Sequence, residues 1–452
     1  MEIIKAIHTR KGAHLKLKGA AEKILSIAPN SSSFSIKPDD FFGLIPKLLV
    51  KEGESVKKGS PLFYDKKNPD IIVVSPVAGT VEKIERGAKR KIQSIVVKSS
   101  KKTDSIKHNT KNSDALSSQQ IKDLLLQGGM WPFIQQRPYG IIANPSDRPK
   151  AIFISTYPTA PMQIDYDFSL QQDAEEFQLG INILNRLVET PVYLGVEKKS
   201  PGFFENIQNV QHYSISGPHP AGNVSLHIQE ICPINSGESV WTINPEDVSN
   251  IGRFFNTGEF SGQRVVAVCG NGVMQPKHFV TTLGVELQPL LNQVEVQSQE
   301  VRIINGDVLT GTTAQAADYL GYFNNLVTVI PEGNQYRMLG WLPFVDNHIL
   351  SLSNTSFSRL FGKKAYQVNT NLNGEERALV VTGEMEKVFP FDIYPMQLLK
   401  ACLAQNIEKM EALGIYEVVP EDFGLVDYAN TSKIEAQEII RNGIALMIRE
   451  VG

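Results

Sequence analysis

Residues 151–155 read AIFIS and residues 192–196 read VYLGV. Between them Ala174, Phe177, Ile181, Leu184 and Val188 recur at alternating three- and four-residue steps. Short, wholly apolar runs rich in branched residues predict strands buried on both faces, and the intervening spacing predicts one apolar face of a helix. Thr190-Pro191 stops that helix, because proline has no N–H with which to continue it. Strand, helix and strand within residues 151–196 make a βαβ unit, and hence a parallel α/β layer. The loop 156–170 leaves the carboxyl end of the first strand, the edge at which such sheets bind ligands.

Working toward the carboxyl end, residues 264–269 (RVVAVC) start a second unit. It continues through the Gly270-Asn271-Gly272 turn, a short helix around 287–291, strands at 301–304 and 326–330, and turns at Gly306 and Gly311. This order resembles a β-grasp module of the soluble-ligand-binding type. The tail reads as helical. Met396, Leu399, Leu403, Ile407 and Met410 give one stripe, and Ile440, Ile444, Met447 and Ile448 another. Amphipathic helices with no strand between them predict a small helical bundle.

Toward the amino end, residues 50–63 (VKEGESVKKGSPLF) place Gly53 and Gly59 in polar turns, with Val56 and Leu62 as buried anchors. Short strands follow at 71–74, after Ser75-Pro76-Val77-Ala78-Gly79, and at 93–97. This stretch resembles the lipoyl- and biotinyl-type barrel-sandwich hybrid. Asp65-Lys66 mimics the dipeptide of true carriers, but Lys67-Asn68-Pro69 follows it, and Lys66 is read as a surface turn lysine. Residues 99–113 (SSKKTDSIKHNTKNS) have linker composition, and 115–126 read as a helix ended by Gly128-Gly129.

Composition narrows the function classes. The chain has 452 residues, which at roughly 150 per domain gives about three domains. Its three cysteines, Cys232, Cys269 and Cys402, are too scattered for a disulfide scaffold, a cysteine zinc module or a self-contained iron–sulfur cluster. They fit a reducing compartment. No apolar run is long enough to span a bilayer, and MEIIKAIHTRKG lacks a signal peptide's apolar core. A net charge of −3 gives no case for nucleic acid. Charge is uneven, however: residues 83–111 carry a net +8 and residues 374–428 a net −7. The first is read as a solvated basic stretch, or one that meets anionic lipid or an acidic partner.

No G-x-G-x-x-G after a strand, P-loop or G-x-S-x-G occurs, so no catalytic residues are assigned. The densest polar cluster is Gly217-Pro218-His219-Pro220-Ala221-Gly222, with His227 five residues on. Two prolines fix the backbone around His219, and the glycines permit close approach. His219 and His227 lack zinc-motif spacing and acidic companions, so no metal site is expected. Trp241 can stack on a planar ring, although a tryptophan in a β-rich run also serves as core. Asn244 and Asp247 read as residues at a helix start.

The segments GPHPAGNVSLHI, VWTINPEDVSNIGRFFNTGEF, RVVAVCGNGVMQPK, RIINGDVLTG, YLGYFNNLVTVIPEG and LGW, with the amino-terminal G-E-S-V-K-K-G-S-P-L-F run, carry a specific likeness. The chain resembles the A subunits of sodium-translocating NADH:quinone reductases. That resemblance implies a peripheral subunit on the cytoplasmic face of the bacterial inner membrane. It implies partners within a sodium-pumping complex, the membrane-embedded B subunit above all, and quinone as a ligand. It implies no tightly bound cofactor, since flavins and iron–sulfur centres reside in other subunits. The order of modules is also similar to the C subunit of the Rnf complex and the flavoprotein subunit of complex I. Against those relatives, Thr156-Tyr157-Pro158-Thr159-Ala160-Pro161 has no Glu before a Pro, and the tail lacks cluster cysteines.

The expected organisation is therefore a barrel-sandwich hybrid at 1–105, a linker and helix at 106–149, and a Rossmann-like α/β domain at 150–258. A β-grasp domain follows at 259–340, then a connecting β segment at 341–390 and a helical domain at 391–452. A quinone needs an apolar slot with hydrogen-bond donors for its carbonyls, and His219, His227, Trp241 and Asn271 are the candidate lining. Two other readings stand beside this one: a structural docking adaptor with a defunct ligand cleft, and a flavin-dependent NADH dehydrogenase subunit.

Overall fold

The computed structural model describes residues 2–451 apart from 101–103, 112, 298–299, 335–341, 343–348 and 353–364. The βαβ unit is realised as strand Ile152–Ser155, helix Ala174–Leu187 and strand Val192–Glu197. The two strands pair in parallel, Ile152 opposite Val192 and Ile154 opposite Leu194. Phe177, Ile181 and Leu184 are fully buried, as the stripe predicts. The chain then adds Gln211–Ser216 outside Val192–Glu197, and crosses back to place Val240–Thr242 on the other flank of Ile152–Ser155. The direction of winding thus reverses between Ile152–Ser155 and Val240–Thr242, and such a reversal opens a crevice at the strands' carboxyl ends.

Helices Ala174–Leu187 and Pro245–Thr257 cross on one face of this sheet. Their backbones approach so closely at Gly180 and Gly252 that a Cβ at Gly252 would lie 1.8 Å from the Glu176 carbonyl oxygen. Beneath them Trp131 and Trp241 meet edge to face at 5.5 Å, in one core with Val248, Ile251 and Phe254.

The barrel-sandwich module packs a four-stranded sheet (Ser33–Ile36, Ile92–Ser99, Gly79–Arg86, Ser55–Val56) against a three-stranded one (Pro46–Leu48, Pro61–Asp65, Ile72–Val74). Val56 and Leu62 are buried, and Gly53 and Gly59 have φ of +84° and +88°, a conformation that a side chain disfavours. Lys66 is exposed in the turn after Pro61–Asp65. The β-grasp sheet runs Thr312–Ala314, Val301–Asn305, Leu326–Pro331, Gln263–Cys269, Lys277–Thr282, Leu25–Ile27, and Leu287–Asn292 packs on it through Leu287, Leu290 and Leu291.

Four features depart from the sequence reading. First, the amino-terminal 27 residues do not stay in the barrel: Ile3–His8 becomes an edge of the seven-stranded sheet and Leu25–Ile27 an edge of the β-grasp sheet. Neither segment has enough alternation to betray its partner, because an edge strand is chosen by the sheet it completes. Second, Gln135–Arg137 and Ile141–Ile142, inside the expected linker-and-helix region, form an antiparallel edge of the seven-stranded sheet. Third, the polar stretch after the barrel is tied down where it is described. Ile106 N–H donates to Lys58 and His108 N–H to Gly258, and the His108 ring lies 5.5 Å from Phe254.

Fourth, the carboxyl-terminal stripe breaks. Pro395–Leu403 and Ile407–Ala412 are separate helices, and Leu403 is 58% exposed, while Met396, Leu399 and Met410 are buried. Ile440, Ile444 and Met447 of helix Ala436–Glu450 complete that core. Much of the expected connecting β segment, like the LGW motif at 339–341, lies outside the described residues; Tyr366 bridges Leu17, and Glu384–Val388 is a helix. Among the described residues no helix is long and apolar enough to cross a membrane.

Candidate functional site

The crevice at the winding reversal holds a cavity of about 450 Å³ at the junction of all four modules. Gln163 and Tyr166 reach it from the loop after Ile152–Ser155, and Asn244, Glu246 and Asp247 from the turn after Val240–Thr242. Asp40 comes from the barrel, Arg264 and Asn325 from the β-grasp sheet, and Glu421 and Arg441 from the helical module. Asn244 occupies the N-cap position of helix Pro245–Thr257 without a side-chain capping hydrogen bond, and Pro245 stands in the first turn, which is the helix start that the sequence predicts.

The charges of this crevice are largely met by one another. Arg264 pairs with Asp247 at 2.6 Å, and Arg137 with Glu421 at 3.0 Å. Glu246 accepts from the Val265 N–H at 2.9 Å and from the Asn325 amide at 3.2 Å. Burial pushes its carboxyl up to about 7, against the pull of Arg264. Burial likewise raises Asp40 to about 6, although it accepts from the Tyr322 N–H.

A second cavity, of about 280 Å³, lies on the other side of the turn around Gly311, a residue that lines both. Leu15, Leu17, Ile304, Leu309, Ile330 and Val368 make its walls apolar, and Arg302, Thr313 and Tyr428 supply polar groups. Arg302 is held by two hydrogen bonds to Glu332, from Nε at 3.0 Å and from one terminal nitrogen at 2.5 Å. Its other terminal nitrogen keeps donors in reserve.

The four residues singled out in the sequence do not form one lining. His227 is fully buried in helix Val224–Ile231; its Nε2 donates to the Ala221 carbonyl at 2.7 Å, and its Nδ1 accepts from the Tyr213 hydroxyl at 3.0 Å. Both ring nitrogens are therefore used. Trp241 is also fully buried, between Gln136 and Ile152 in the sheet. Both residues are core, and neither lines either cavity.

His219 and Asn271 stand behind the smaller cavity instead. The His219 carbonyl accepts from Ala13 N–H, at the head of the 13–17 segment that supplies Leu15 and Leu17. Asn271 donates to the carbonyl of Val368, itself a wall residue. The Thr159 hydroxyl oxygen accepts from Gly222 N–H and also shares a hydrogen bond of 3.2 Å with His219 Nδ1. His219 Nε2 is buried without a partner, and burial lowers this histidine to about 4, keeping the ring neutral. Sequence reasoning missed Arg302, Glu246 and Arg264. The one signal for Glu246 is a charge just past the strand Val240–Thr242 that flanks the winding reversal; Arg264 enters from the β-grasp sheet and has no such signal. Among the described residues no three histidine, cysteine or acidic side chains converge as a metal ligand set.

These modules, in this order, define a subunit type built around a barrel-sandwich, an α/β sheet and a β-grasp sheet. Family profiles match each in turn: the NqrA N-terminal barrel-sandwich hybrid domain at 7–100, the NqrA second alpha/beta domain at 116–260, and the NQRA C-terminal domain at 265–316. The A subunit of the Na(+)-translocating NADH-quinone reductase of Neisseria meningitidis serogroup C is 34% identical over 449 residues, covering 98% of this chain and 100% of that one. Those of Pasteurella multocida and Pseudomonas aeruginosa are each 35% identical over 448 residues, with the same coverage. The chain belongs to the family of A subunits of Na(+)-translocating NADH-quinone reductases. Among solved structures, the NAD+-reducing [NiFe]-hydrogenase in its H2-reduced state aligns with 67% of this chain and 55% of that one at 14% identity; its TM-score of 0.38 is too low to inform function.

Proposed function

We propose that this chain is the quinone-associated A subunit of a sodium-pumping NADH:quinone reductase. In this reading it lies on the cytoplasmic face of the inner membrane, held by its partner subunits and by the membrane-embedded B subunit in particular. Electrons come from flavin and iron–sulfur centres elsewhere in the complex, and the chain itself holds no tightly bound redox group. The order of modules also supports kinship with the Rnf C subunit and the complex I flavoprotein subunit.

The observation that carries the quinone role is the smaller cavity. At about 280 Å³ it is near the low end of small-molecule sites, roughly 300–1,000 Å³, and suits a ring rather than a whole prenylated quinone. Its apolar walls receive the ring, and Arg302 offers donors to a carbonyl oxygen, whereas the Tyr428 hydroxyl already donates to the Leu350 carbonyl. His219 and Asn271 act as positioning residues, holding the 13–17 and 366–370 segments against it. The test is titration of a short-chain quinone against the purified chain. Arg302→Met should weaken binding roughly tenfold, the size of one charge-assisted hydrogen bond. His219→Ala should weaken it several-fold while the circular dichroism spectrum stays unchanged. Equal affinity in wild type and Arg302→Met would remove this cavity from consideration.

The adaptor reading has its own support in the larger crevice, where Arg137 and Arg264 are neutralised by the protein's own carboxylates. Failure of the isolated chain to bind any quinone favours it. A flavin absorbance band in freshly purified protein would favour the dehydrogenase reading.

A further inference from the structure

Strands Gly79–Arg86 and Ile92–Ser99 form a hairpin of the barrel module, and its tip concentrates the basic stretch. Arg86, Lys89, Arg90 and Lys91 are all exposed there within six residues. Lys89 and Arg90 have φ of +52° and +62°. Glycine or asparagine takes that backbone conformation at least cost, yet this turn places two consecutive cations in it. Lys91 meets Asp39 at 2.7 Å, but Lys89 and Arg90 have no acidic partner among the described residues.

The composition of the tip discriminates between partners. Specific protein interfaces are built around an apolar or aromatic centre. Between residues 86 and 91 the largest apolar side chain is that of Ala88, so the tip has no such centre. A cluster of exposed cations, of which Lys89 and Arg90 have no acidic partner among the described residues, instead suits a broad sheet of negative charge, as lipid headgroups provide. The relatives' names describe translocation of Na+, a membrane process, and among the described residues no helix can span a bilayer.

We propose that the 86–91 hairpin tip is an electrostatic foot that rests on anionic phospholipid at the membrane surface. It supplements whatever holds the chain to its partner subunits, and it rests on the reading of the chain as part of a membrane complex. Binding through it is weak and reversible, is strongest at low salt, and fades as the Debye length shrinks.

The test is co-sedimentation of the full chain with phosphatidylcholine vesicles, with and without phosphatidylglycerol. The chain should pellet only with the anionic vesicles, and less at high salt. Lys89→Ser with Arg90→Ser should lower partitioning roughly 30-fold, since each charge near an anionic surface is worth about 1 kcal/mol. Lys198→Ser with Lys199→Ser removes two exposed charges from the α/β module and should leave binding unchanged. Equal binding by wild type and the hairpin variant overturns the proposal, and so does an equal loss in the Lys198/Lys199 control. If wild type ignores anionic vesicles while the hairpin variant weakens co-purification with the other subunits, the tip is a protein contact and the proposal fails. The quinone titration is independent of all these outcomes, and co-purification of wild type tests complex membership separately.

Discussion

Arg264 and Asp247 meet at 2.6 Å with each side chain only 1% exposed, which joins the β-grasp sheet to the first turn of helix Pro245–Thr257. Neither charge can reach water if the other is lost. Removing one member of such a pair costs about 3–5 kcal/mol, because an uncompensated charge stays buried. Arg264→Met should therefore lower stability by about that amount in urea unfolding. Adding Asp247→Leu should recover much of the loss. Equal instability in the single and double variants would show that packing, not charge, sets the cost.

Glu246 adds a pH dependence of definite sign. Its carboxyl is raised from 4.5 to about 7 by burial, so between those values the folded chain holds a proton that the unfolded chain releases. Stability from this group is thus fully present at low pH and declines as pH rises from 4.5 to 7. At about 1.4 kcal/mol per pH unit the decline totals about 3 kcal/mol. Glu246→Gln cannot titrate. Its stability relative to wild type should climb across that window, and a flat difference between the two would refute the assignment. Subtracting wild type cancels the parallel contributions of Asp40 and Asp422, both raised to about 6.

At the helix crossing, Gly252→Ala places a Cβ 1.8 Å from the Glu176 carbonyl and must push the helices apart. Overpacking of this kind costs about 1–3 kcal/mol. Thermal unfolding should show the loss, even though alanine is the better helix former. Gly237→Ala is a poor comparator because its φ is +79°, whereas Gly180→Ala, 2.2 Å from the Val248 carbonyl, should behave like Gly252→Ala.

The thiols give a rapid check of the packing. Burial pushes Cys269 and Cys402 up to about 12, whereas Cys232 is half-buried. Only the thiolate reacts with disulfide reagents at neutral pH. Ellman's reagent should report one thiol per folded chain and all three cysteines after denaturation. Two or three fast thiols in the native protein would contradict the packing of Cys402 beside Gly443 or of Cys269 beside Thr328.

What can be read from the sequence follows from how local each signal is. Phe177, Ile181 and Leu184 declare their helix because their periodicity is contained in that helix. Gly53 and Gly59 declare their turns, and Val56 and Leu62 the buried strands beside them, for the same reason. The cavities cannot be read this way. Arg137 and Glu421 meet in the larger crevice although 284 residues separate them, and no window of sequence contains both. His227 and Trp241 attract notice as polar-tipped rings, but burial in the sheet and helix makes them core. His219 stands out for its glycine and proline frame, and that frame presents its carbonyl to Ala13.

Strand Ile3–His8 carries a consequence for the order of events at the ribosome. His8 stands opposite Ser216, 208 residues later in the chain. At about 5–20 residues per second, roughly 10–40 s pass before that strand has a place to go. The barrel module can close in the meantime, and strand Ile3–His8 must wait beside it without its partner strand. The α/β sheet is completed by a strand made well before the strand it pairs with. A tag or a lipid surface that captures residues 2–8 early would therefore leave an open sheet edge, even though every later module folded correctly.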